Sequence, residues 1–153
     1  ASFGDNLAGP AHRAAAELDL DEAELERLPL LGECINYNAY GETIDDLHYP
    51  PADLYELLSR YRDPRDFIEG EPVLEVLKTA MGDDDDRARA IKPQMASAAA
   101  ALYVLPDAAW SRRIHGFFAN RLAREHPARA HGILLLWRRR TDQEIIGRND
   151  YCG

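Results

Sequence analysis

The chain is poor in sulfur: its 153 residues include two cysteines and two methionines. Cys34 and Cys152 stand far apart, which argues against a disulfide-stapled scaffold and fits a reducing, cytoplasmic setting. Nowhere does an apolar run reach the roughly 18 residues that a membrane span requires, so no membrane partner is expected. Basic side chains are scarce, 18 against 27 acidic ones, and the formal net charge is −9. Non-specific binding to duplex DNA needs a basic footprint and is excluded on that balance. A small phosphorylated ligand held by a few arginines or a metal is not. The sequence also lacks an initiator methionine. It opens on Ala1-Ser2-Phe3-Gly4-Asp5-Asn6 and stops at Tyr151-Cys152-Gly153, and these ends read as cuts, giving the expectation of an internal fragment of an enzyme.

What is present is globular in character. Hydrophobic residues make up 46% and charged residues 29%. A chain of this size can hide about two-thirds of its unfolded surface. The acid is concentrated in the first 86 residues, whereas arginines dominate from Arg87 onward.

Residues 1–8 read as a strand end or loop, and Pro10 as the start of a short helix to about 18. Leu25, Leu28, Leu31 and Ile35 have helical spacing, with Pro29 predicting a kink or restart. Residues 36–46 read as a polar loop, Pro50-Pro51 as a helix start, and Arg62-Asp63-Pro64 as its break. A longer helix is predicted from Pro72 to about Lys92, with Val73, Leu77, Ala80, Met81, Ala88 and Ile91 inward. Gly82 and Asp83-Asp84-Asp85-Asp86 interrupt that pattern, and the aspartates read as a solvated face. Residues 93–100 mark a candidate boundary.

Two continuous apolar runs, 101–105 and 133–137, flank a helix predicted from an Asp107 cap to Glu125. Strand, helix, strand is a βαβ unit, and continuous apolar strands suit a parallel sheet. A third strand is predicted at 143–146. The expected class is α/β: a mostly helical part (1–95), then a βαβ unit in an incomplete sheet (96–153). A cut through such a sheet exposes edges that invite a homo-oligomer.

Asp5, near a strand end, can ligate a hard divalent metal or cap a turn. The stretch Asn36 to Thr43 packs two amides, two phenols and Gly41 into one loop, suited either to ligand contact or to local turn bonds. Asp45, Asp46 and His48 match no standard metal spacing and read as a helix entry. Arg112 and Arg113, in the first turns of a helix, oppose its dipole unless an anion lies near, so they are either phosphate ligands or solvated side chains. Gly116 costs about 1 kcal/mol in a helix interior, which predicts a close approach by a neighbour or ligand there.

Three pieces, in order, resemble the DHH phosphoesterase superfamily, whose familiar members are the RecJ-like nucleases. Phe3-Gly4-Asp5 resembles its fourth motif, Asn38-Ala39-Tyr40-Gly41 its asparagine-alanine-alanine-glycine stretch, and Trp110 through Leu122 the first helix of its associated C-terminal domain. The resemblance spans Asp5 to about Trp137. It departs at Glu42, where an arginine is usual, and at Ser111, where a histidine is. It implies a phosphoesterase using two manganese or magnesium ions, with Asp5 as one metal ligand. The implied substrate-side residues are Asn38, Gly41, Arg112, Arg113, Gly116, Arg121 and Arg148. The substrate class is a small phosphorylated molecule or short single-stranded nucleic acid. The alternative reading is a non-catalytic nucleotide- or protein-binding module.

Overall fold

The computed structural model describes residues 22–136. The readings at 1–8, 10–18 and 143–146, with Asp5, Arg148 and Cys152, lie outside the described residues. Within them the chain is mixed α/β, helical first and then stranded, with a small three-stranded mixed sheet that does not close.

Helix α1 (Glu22–Tyr37) contains Pro29 without restarting. Proline removes the hydrogen bond to the carbonyl of residue 25, a cost of about 3 kcal/mol. Leu28, Leu31 and Cys34 offset it by burial along one face, on either side of the proline. A 3-10 turn (Ile44–Asp46) follows, and then α2 (Pro51–Ser59), whose opening proline sits where no N–H is needed. Asp63 breaks α2 as expected and caps a further short helix, α3 (Pro64–Gly70), by accepting from the Arg65 amide. Helix α4 (Val73–Arg89) runs through Gly82 and the four aspartates without interruption. The solvated reading of that acidic run fails at Asp84, which is 2% exposed.

The stretch 93–100, expected as a boundary, carries β1 (Met95–Ala96), antiparallel to β2 (Ala100–Leu105) with Met95 opposite Leu102. The Ser97 hydroxyl makes that hairpin by accepting from the amides of Ala99 and Ala100. Helix α5 (Ala109–Glu125) then crosses to β3 (Ala130–Leu135), which lies parallel to β2 with Tyr103 opposite Ile133. The α5 N-cap is Ala108 with no side-chain cap bond, so Asp107 is not the cap expected of it. Among the described residues the strand order is β1-β2-β3, and the βαβ unit is the one read from the sequence.

Two apolar clusters result. One joins α1 to α4 through Leu28, Leu31, Leu54, Phe67, Leu74 and Leu77. The other packs α5 on one face of the sheet through Ala101, Tyr103, Leu105, Ile114, Phe118 and Leu122, and takes in Tyr37 and Ala88. Met81 of α4 packs against both, so this helix is the shared spine. Among the described residues no helix is long and apolar enough to cross a membrane.

Candidate functional site

Among the described residues, the buried charged side chains Asp46, Asp84 and Arg113 converge where the end of α1, the 3-10 turn, α4 and the start of α5 meet. Asp84 is brought there by helical register. Leu77, Met81, Asp84 and Ala88 are spaced by four, three and four residues, so the carboxylate falls on the buried stripe of α4. Arg113 of α5, 8% exposed, meets it with Nε at 2.9 Å and Nη2 at 2.8 Å from Oδ2. Tyr37, the last residue of α1, donates its hydroxyl to the same oxygen at 2.5 Å. Arg87 donates to Oδ1 at 3.0 Å. Arg113 also donates Nη1 to the Asp46 carbonyl, fastening the 3-10 turn. Its guanidinium lies 5.9 Å from the Tyr37 ring centroid.

With the phenol proton committed to Asp84, His48 meets the Tyr37 oxygen at 3.1 Å as a donor, through Nε2–H. Burial, then the bond to Asp84, raises the Tyr37 pKa above the ordinary phenol value. Burial, then the charge of Arg113, lowers that of His48. Both groups flank the buried Asp84–Arg113 ion pair.

A second pair lies beside the first. Arg112 donates Nε to Asp46 Oδ2 at 2.8 Å and Nη2 to Oδ1 at 3.1 Å, and its Nη1 reaches Asp107 at 2.5 Å. The Glu42 amide donates to Asp46 Oδ2 at 2.8 Å. The bonds from Arg112, aided by the loop amides and opposed by burial, hold the Asp46 carboxyl at a pKa of about 2.

The implied site residues are distributed unevenly. Asn38, 2% exposed, spends its side chain on the loop, donating to the Tyr49 carbonyl and accepting from the His48 and Tyr49 amides. Gly41 is tightly enclosed: a Cβ there would stand 2.9 Å from both the Asp46 Cβ and Leu47 Cδ2. Arg112 and Arg113 lie together at the junction, each bound to a carboxylate of this chain. Arg121 is two helical turns away, paired with Asp85 and 5.2 Å from the Phe118 ring centroid. At Gly116 the expected approach of a sheet or neighbouring helix is not found, since a Cβ there meets no protein atom within 4 Å. Nearby, His115 bonds the Arg112 carbonyl through Nδ1 at 2.7 Å and meets the Tyr40 ring edge-on.

Tyr37, Asp84 and His48 were not singled out as members of one cluster by sequence. The position of Asp84 between Met81 and Ala88 on an apolar stripe was the available signal. The arrangement is suited to joining elements rather than holding metal. Asp84 Oδ2 takes three donors and Oδ1 takes Arg87. Both Asp46 oxygens are likewise engaged. Among the described residues no group of three or more His, Cys, Asp or Glu side chains could hold a metal ion. The metal ligand that the resemblance implies, Asp5, lies outside the described residues, and no other metal centre is formed among them. Compared with family models, with curated proteins and with solved structures, the chain finds no match.

Proposed function

We propose that the chain is a supporting part of a cytoplasmic, metal-dependent phosphoesterase of DHH type, acting on a phosphodiester or phosphoanhydride. The observation that supports this reading is spatial. Two of the stretches that carry the resemblance, Asn38–Gly41 and Trp110–Leu122, meet at the junction through the Tyr40–His115 ring contact. The neighbouring Asp46–Arg112 pair spans the same two parts of the chain. In this reading Arg112 and Arg113 set the angle between the helical part and the βαβ unit, and substrate contact falls to residues around them. Any manganese or magnesium belongs with Asp5 and with ligands supplied by a longer polypeptide.

The test is hydrolysis of a chromogenic phosphodiester or a short oligoribonucleotide with manganese. The expected result is no turnover by the 153-residue chain, and turnover by the longer polypeptide that is lost in Asp5→Asn. Turnover by the chain alone, or none by the longer polypeptide, contradicts the reading.

The saturation of Asp46 and Asp84 by arginine favours one alternative, a binding module without metal. The two readings separate by mass action, because a ligand of the folded form raises Tm. A rise with nucleotide and none with manganese, in the longer polypeptide, favours the module.

A further inference from the structure

We draw no further inference here: the strongest candidate, the open apolar face of the sheet that carries Met95, Leu102, Val104, Leu134 and Leu136 on the side away from α5, carries nothing because nothing among the described residues shows what covers it.

Discussion

At the scale of single residues, the molecule spends its buried charge on itself. Removing one partner of a buried pair leaves the other desolvated and uncompensated. Asp46 shows the consequence for pH. Its pKa of about 2 lies below the ordinary aspartate value of about 3.9. The stability it contributes is therefore present above that ordinary value and is lost as pH falls from about 4 towards 2. Asp63, held down by Arg65, titrates in the same window, but that pair is at the surface and solvent screening leaves its contribution small. Urea unfolding at a series of pH values should show Asp46→Asn less stable than the parent at neutral pH, with a shallower loss between about pH 4 and 2. A slope identical to the parent's would show that Asp46 carries none of that dependence. Asp84 teaches what a local reading misses. A run of four aspartates looks like a solvated face, and only the three- and four-residue spacing from Met81 and Ala88 reveals that one of them points inward.

At the scale of elements, the strong periodic signals carried furthest. The two continuous apolar runs became the parallel pair β2 and β3, and Ile114, Phe118 and Leu122 face that sheet as their spacing implies. What local rules misjudged was overridden by packing. Proline ends an isolated helix, yet α1 continues through Pro29 because Leu28 and Leu31 are anchored in the core. Strand β1 was illegible because two residues beside small alanines carry no alternation, and its partner lies across a turn set by Ser97. Asn38 and Gly41 were legible as special positions, but sequence could not distinguish ligand contact from loop closure. Gly82 and Gly116 carry a prediction at this scale. Each sits inside a helix, and an added Cβ at either meets nothing within 4 Å. Gly82→Ala and Gly116→Ala should each stabilise the chain by about 1 kcal/mol. Calorimetry should show Tm rising by about 3 °C for each. A fall for Gly116→Ala would mean that this open space is needed by the fold.

At the scale of the whole molecule, α4 contributes to both apolar clusters, and the Tyr37–Asp84–Arg113 network bonds the helical part to the βαβ unit. These features make the two parts one cooperative body. The network also defines what the described residues can do, because carboxylates already saturated by guanidinium groups and amides serve architecture. The measurement that tests this most directly is a double-mutant cycle on Asp84 and Arg113, read by urea unfolding of the parent, Asp84→Leu, Arg113→Met and the double variant. Each single change should cost about 3–5 kcal/mol, and the double variant should recover much of that loss, with a coupling of about 2 kcal/mol or more. Additive losses with no coupling would contradict the account, because they would mean that the buried pair does not hold the two parts together.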